Sequence, residues 1–476
     1  MRTLWTALGL LWGAAAGLWT PRGPLTISQA LWSVGLSVAV GLAAGWLSRS
    51  RWAMVLAPAG FVAALELARW GTVPVHLSTF GVLSAVTGRG LHGLLSVMPM
   101  ALGAVYGAAI ARGGVRPRRA DESGRGCPRW ADGGQRGRLQ WVGWVRRAGA
   151  GALTLGMLAL TVAVAIPART APIPGPRSVA ELADVHGLGV MIRGADTSLP
   201  VLLFVPGAPG GSETGAVRKH LAALEQHFVM ATLDRRGGGA SYPALDPTRN
   251  VTLDGGVADI ITVTEYLRRR FHQEKIYLLA HSGGSIMGAL AAQRRPELFR
   301  AYIGTGQTVS LPDSDRIFYT DILAWARRTG HADVVRRLTD QGPPPYAGVY
   351  SYEPIMLYEN EVYEQSGIGF DIDVPEDTLL QKAHTLNAVL ETWAVLYPRM
   401  QDVDLRTDVP ALAVPAYFVQ GAGEMRGLAV LFDQWYPALR APVKNLFVLD
   451  GAGHRAIFEQ PARFTQIMTR IIAETR

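Results

Sequence analysis

The chain is poor in cysteine, in acid over its first quarter, and in metal-ligand groupings. Cys127 is the one cysteine among 476 residues, which excludes an intramolecular disulfide. Residues 1–111 hold a single carboxylate, Glu66, beside six arginines. His220 and His227 stand seven apart on a predicted helix with no cysteine near them. No metal and no cofactor are therefore expected. The glycines at 237–239 are not followed by Gly-Lys-Ser/Thr, which argues against a phosphate-binding P-loop.

The front of the chain has long apolar runs instead. Those at 4–20, 25–47, 52–67, 91–111 and 148–166 reach or approach the ~20 apolar residues that cross ~30 Å of hydrocarbon. They predict a membrane domain over 1–170 with about five transmembrane helices. Residues 112–147 carry ten arginines and three acids, and such an excess places this loop in the cytoplasm. With an odd number of spans, everything after residue 166 is extracytoplasmic, on a multi-pass protein of the cell membrane. Pro167, Pro172, Pro174 and Pro176 then predict a stiff extended linker.

The net charge of +8 is two charges of opposite sign, +12 over 1–147 and −4 over 148–476. The basic excess belongs to the membrane domain. The bilayer is the expected partner, and nucleic acid is not.

The most informative segment is Lys275–Gly288. A short apolar run, Ile276 to Ala280, meets His281-Ser282-Gly283-Gly284, and an Ala-rich helical stretch follows at once. A serine on so tight a strand-to-helix turn is a nucleophile elbow, which needs small neighbours. Ala280, Gly283 and Gly284 meet that need, and Ser282 is the candidate nucleophile.

Its partners are expected on loops that follow other strands. Leu202–Val205 runs into Pro206-Gly-Ala-Pro-Gly-Gly211. Proline lacks an N–H, so the candidate oxyanion donors are Gly207 and Ala208, together with Gly283. Ala416–Gln420 leads to Glu424, and Asn445–Asp450 leads to Gly-Ala-Gly-His454. The order Ser282, Glu424, His454 supplies nucleophile, orienting acid and base. Asp402, Asp433 and Asp450 compete with Glu424 for the orienting role. His281 is read as a structural neighbour of the serine.

Residues 178–476 resemble the α/β-hydrolase superfamily, and within it the proline iminopeptidase-like branch, peptidase family S33. That branch carries His-Gly-Gly-Pro-Gly-Gly, and Pro206 to Gly211 stands in that place as Pro-Gly-Ala-Pro-Gly-Gly, with Pro206 replacing the histidine and Ala208 the second glycine. Its Asp-x-Arg-Gly-x-Gly-x-Ser is met in full from Asp234 to Ser241. Its Gly-His-Ser-x-Gly-Ser is met from Ala280 to Ser285 with Ala280 in first place, and its Gly-His…Phe-Glu-x-Pro from Gly453 to Pro461. The resemblance implies an α/β fold, with a mostly parallel sheet flanked by helices, here preceded by an all-α transmembrane domain. The core would occupy 171–305 and 411–476, with a helical lid over 306–410. In aminopeptidase members lid acids receive the substrate's free amino group, and Glu359, Glu361 and Glu364 are the candidates here.

The expected activity is serine hydrolysis of a small ester, amide or short peptide through an acyl-enzyme, aminopeptidase-like in the sharper version. The alternative is a non-catalytic binding module of the same fold on a membrane anchor.

Overall fold

The computed structural model describes residues 4–72, 76–113, 133–366 and 369–475. The chain forms two compact units, one of residues 1–76 and 85–167, the other of residues 77–84 and 168–476.

The apolar runs of the first unit are helices, Leu4–Trp19, Ile27–Ser48, Ala53–Ala68, Thr79–Gly113 and Gly133–Ala165. Thr26 and Gln29 start the second with a reciprocal capping box, which satisfies two amide groups that a helix end would otherwise leave open. Glycine lets neighbouring backbones close up, as small residues do between membrane helices. A Cβ on Gly13 would stand 2.2 Å from the Phe61 carbonyl oxygen, and one on Gly41 2.0 Å from that of Met100. Large apolar side chains, among them Leu18, Trp32 and Trp46, point outward.

Among the described residues three helices are long and apolar enough to cross a membrane, Ile27–Ser48, Thr79–Gly113 and the Ala148–Ala165 part of the last. Leu4–Trp19 and Ala53–Ala68 have 16 residues each and reach only about 24 Å at 1.5 Å per residue. The arginine-rich loop expected over 112–147 differs at its end, since the helix from Gly133 already includes 133–147. The rest of it, with Cys127, lies outside the described residues apart from Arg112 and Gly113 in the preceding helix.

The second unit is built on eight strands: β1 (Val179–Val185), β2 (Leu188–Gly194), β3 (Val201–Val205), β4 (Val229–Leu233), β5 (Ile276–His281), β6 (Phe299–Thr305), β7 (Ala416–Gly421) and β8 (Lys444–Leu449). Their order is β1-β2-β4-β3-β5-β6-β7-β8. The pairs β1/β2 and β2/β4 are antiparallel and the rest parallel. His186 and Gly187, at φ 56° and 83°, turn β1 into β2 with the left-handed backbone that two-residue hairpins require. Every residue of β3, β4, β5 and β7 is buried. That is why these strands read as continuous apolar runs and not as alternations. Phe204, Phe228, Tyr277, Phe458 and Phe464 belong to the core on the sheet.

Between β6 and β7 the chain leaves the sheet for four helices longer than one turn and a half, Leu311–Thr329, Ala332–Gln341, Glu353–Val362 and Leu379–Leu396. They share an apolar cluster around Phe318, Trp325, Leu338, Tyr352 and Tyr397, which Met425 and Leu428 join from the segment after β7. The insertion is thus held by a cluster it shares with the segment after β7. It leaves the sheet at the carboxyl ends of the parallel strands, the side from which the loops after β3, β5, β7 and β8 also start.

Candidate active site

Ser282 follows β5 directly, with φ at +49°. A side chain rarely tolerates that conformation, and the surroundings impose it. The Ser282 amide donates to the Thr305 carbonyl at 2.9 Å. Ser285 Oγ donates to the Ser282 carbonyl at 2.5 Å and itself accepts from Gln307 and from the Thr308 amide. Ala280, standing where the motif has glycine, is accommodated by Gly288, whose missing Cβ would fall 2.6 Å from that of Ala280. The β3 loop presses on the turn from the other side. A Cβ on Gly284 would meet the Pro206 carbonyl at 2.2 Å, and one on Gly207 the Ser282 Cβ at 2.6 Å.

His454 stands on the loop after β8 and Glu424 on the loop after β7. His454 Nε2 is 2.9 Å from Ser282 Oγ, and its Nδ1 is 2.8 Å from Glu424 Oε1. The carboxylate also accepts the Met425 amide at 2.9 Å. With Nδ1 donating to Glu424, Nε2 is the nitrogen left to take a proton from serine. The His454 amide donates to Gln365 at 2.6 Å. Gly306, at φ +51°, leaves room for the ring, since a Cβ there would lie 2.8 Å from Cε1. Burial pushes the imidazole down, but the charge and hydrogen bond of Glu424, with the charge of Glu359, outweigh it and hold the His454 pKa above its ordinary value. Of the acids competing for this place, Glu424 is the one that reaches the ring; the Asp433, Asp450 and Asp402 side chains do not bond it.

The structure corrects one expected donor. The Gly207 amide is already committed to Glu213 Oε2 at 2.9 Å, so it cannot face an oxyanion. The Ala208 and Gly283 amides have no protein acceptor among the described residues, and both residues line the cavity.

Glu213 itself was not legible from the sequence. It is buried, and it holds together three loops. Besides Gly207 it meets His281 Nδ1 at 2.9 Å and Arg455 Nη1 at 2.8 Å. Burial opposes its ionisation, but these partners win and hold the carboxyl well below the usual range. His281 is pushed down by burial. Its Nε2 has no partner among the described residues, as suits a neutral ring that donates through Nδ1. It is a structural neighbour of the serine, as expected.

A cavity of about 330 Å³ opens over Ser282, with Phe318, Tyr352, Ile355, Trp393, Met400 and Met425 on its walls. Of the three expected lid acids only Glu359 lines it. Glu361 and Glu364 are exposed, because residues two apart on a helix face opposite ways and the helix ends at Val362, before Glu364. Burial pushes the Glu359 carboxyl up to about 7, with the charge of His454 opposing. A second acid in the wall, Asp315, was missed. Both its oxygens accept from Tyr397 Oη at 2.7 Å, and burial raises it to about 7. Its signal was present in the sequence: Leu311, Phe318 and Ile322 put position 315 on the apolar face of their helix. Among the described residues no three His, Cys, Asp or Glu side chains are grouped to hold a metal.

Residues 200–342 match the family model described as alpha/beta hydrolase fold. The probable aminopeptidase YbaC of Bacillus subtilis (strain 168) is 27% identical over 314 residues, which is 63% of this chain and 98% of that one. Among solved structures, the chain is similar to the proline iminopeptidase-related protein of Thermus thermophilus at 19% identity and TM-score 0.43, covering 63% of this chain and 98% of that one. The proline iminopeptidase of Mycobacterium smegmatis gives 16% identity and TM-score 0.45, covering 62% and 98%.

Proposed function

Since residues 168–476 carry the α/β-hydrolase fold, we propose that this unit is a serine hydrolase in which Ser282 is the nucleophile, His454 the base and Glu424 the orienting acid. The observation that carries the reading is the unbroken chain from Ser282 Oγ to His454 at 2.9 Å and on to Glu424 at 2.8 Å.

In this reading His454 Nε2 takes the serine proton as Oγ attacks the carbonyl carbon. The Ala208 and Gly283 amides receive the oxyanion, each worth about 10²–10³ in turnover. The bond to the leaving group breaks and His454 returns its proton to that group. Water then attacks the acyl-enzyme by the same path, releasing the acid and restoring the serine. Glu424 keeps the ring in the reactive tautomer and offsets its positive charge.

The substrate class is an amide or short peptide with a free amino group, with small esters as a broader set. Glu359 and Asp315 are two acids on the insertion side of the cavity, beside the aromatic rings of Phe318, Tyr352 and Trp393, which suits an ammonium group, and the relative YbaC is named a probable aminopeptidase. The long apolar helices anchor the unit to a bilayer. The arginine-rich segment 112–147 lies on the cytoplasmic side and the hydrolase on the other.

The test is release of coumarin from aminoacyl-coumarin amides by wild type and by Ser282→Ala in detergent. The proposal expects turnover by wild type alone. Equal turnover by both would refute it.

A further inference from the structure

The cavity carries charges of opposite sign on different walls. Glu359 and Asp315 come from helices of the insertion, Glu353–Val362 and Leu311–Thr329. From the sheet side comes Arg235, two residues beyond the end of β4, and it too lines the cavity. It occupies a variable place in Asp234-x-Arg236-Gly237-x-Gly239-x-Ser241, so the motif itself does not demand a cation there.

Arg235 is 6% exposed. Among the described residues no carboxylate makes an ion pair with it, its Nε has no acceptor, and its one side-chain hydrogen bond runs from Nη1 to the Met287 thioether at 3.6 Å. Its neighbours are treated differently. Arg236 is bidentate to Asp259 at 3.0 and 2.8 Å. Arg193, also buried in this unit, is bidentate to Glu225 at 2.8 and 3.2 Å. The nearby acid Glu213 makes no ion pair or hydrogen bond with Arg235 and acts on it only through space; its Oε2 is shared by the Gly207 amide and His281, and its Oε1 stands 2.8 Å from Arg455 Nη1. Burial lowers Arg235 to about 10, so it keeps its charge at neutral pH. A guanidinium out of water is costly unless a planar anion meets its fork of donors.

We propose that Arg235 is the receptor for a carboxylate of the substrate, and that the preferred substrate is a dipeptide whose free C-terminus meets Arg235 while its amino group meets Glu359 and Asp315. The inference rests on the peptidase reading above and deepens it. A zwitterion bound this way sets its single amide between the two charged ends, over Ser282. The carboxylate would belong to the leaving amino acid, so esterification or amidation of the C-terminus removes the contact and leaves the acyl side unchanged.

The experiment is calorimetric titration of the full-length protein in detergent, in the Ser282→Ala background to stop turnover, with Ala-Ala and with alanyl-alaninamide. Ala-Ala is expected to bind at least about tenfold more tightly, as the loss of one charge-assisted pair implies. Arg235→Met should remove that preference, and Arg235→Lys, which keeps a charge at the site, should retain part of it and show that the fold tolerates the position. Equal binding of the two ligands, a preference that survives in Arg235→Met, or no binding of either would overturn the assignment. Labelling of wild-type Ser282 by a serine-directed probe reports on the hydrolase reading separately, so a labelled protein with no carboxylate preference would sink only the role of Arg235.

Discussion

Arg455, the residue after the candidate base, reaches back to Glu213 at 2.8 Å, and Glu213 in turn holds the amide of Gly207. One buried carboxylate therefore ties the base loop to the loop that crosses the nucleophile. Glu213→Ala would strand the Arg455 cation and the Gly207 amide together. Breaking such a pair from one side costs about 3–5 kcal/mol. A lowered melting temperature is expected, with lost turnover on every substrate. Glu213→Gln, which keeps an acceptor for Gly207, should recover part of the stability.

Glu424 sets both the tautomer and the charge of His454. With the ring held above its ordinary pKa, kcat/KM should rise with pH through that raised value. Glu424→Gln leaves burial opposed only by the charge of Glu359. The acidic limb should move to lower pH while the plateau falls by roughly 10²–10⁴. The same shift bears on stability. The fold binds this proton more tightly than the unfolded chain, so His454 adds stability below its unfolded pKa of about 6.5. That contribution disappears as pH rises through the folded value. A pH series of melting temperatures on wild type and Glu424→Gln checks the sign.

Gly306→Ala places a methyl group 2.8 Å from His454 Cε1 at a backbone angle of +51°. The ring must move away from Ser282. A displacement of about 1 Å is enough for about a hundredfold loss in kcat. KM should stay near wild type, because the substituted position does not line the cavity wall. Steady-state kinetics on one substrate separate the two.

Glu359 is held up to about 7 by burial, so its ionised form gains population as pH passes 7. Affinity for aminoacyl substrates should rise over that range. Glu359→Gln should raise KM for them about tenfold, the size of one charge-assisted contact, and weaken this pH dependence to the part that Asp315, also raised to about 7, contributes. Hydrolysis of an uncharged acetyl ester should change little. A comparable loss on the ester would instead make Glu359 a structural residue.

Much of the site was legible because the chemistry is local to single turns. The elbow at Ser282 is written in the small residues around it, and His454 and Glu424 each follow an apolar run that becomes a buried parallel strand. Glu213 was not legible, because its partners lie after β3, at the end of β5 and after β8, and only the parallel run β3-β5-β6-β7-β8 brings those strand ends to one side of the sheet. The expected Gly207 donor was wrong for the same reason, its amide being claimed by Glu213. Asp315 was readable from helical spacing, but the richer acid run at 359–364 is the stronger signal in the sequence. In the first unit the apolar runs located five helices. The two shortest runs, 4–20 and 52–67, became the two helices of 16 residues.

The most direct measurement is labelling of the full-length protein in membranes by a fluorophosphonate, in wild type, Ser282→Ala and His454→Ala. The account predicts strong labelling of wild type, none in Ser282→Ala and a loss of at least about 10³ in rate in His454→Ala. A folded wild-type protein that takes no label, or a label that persists in Ser282→Ala, would contradict it.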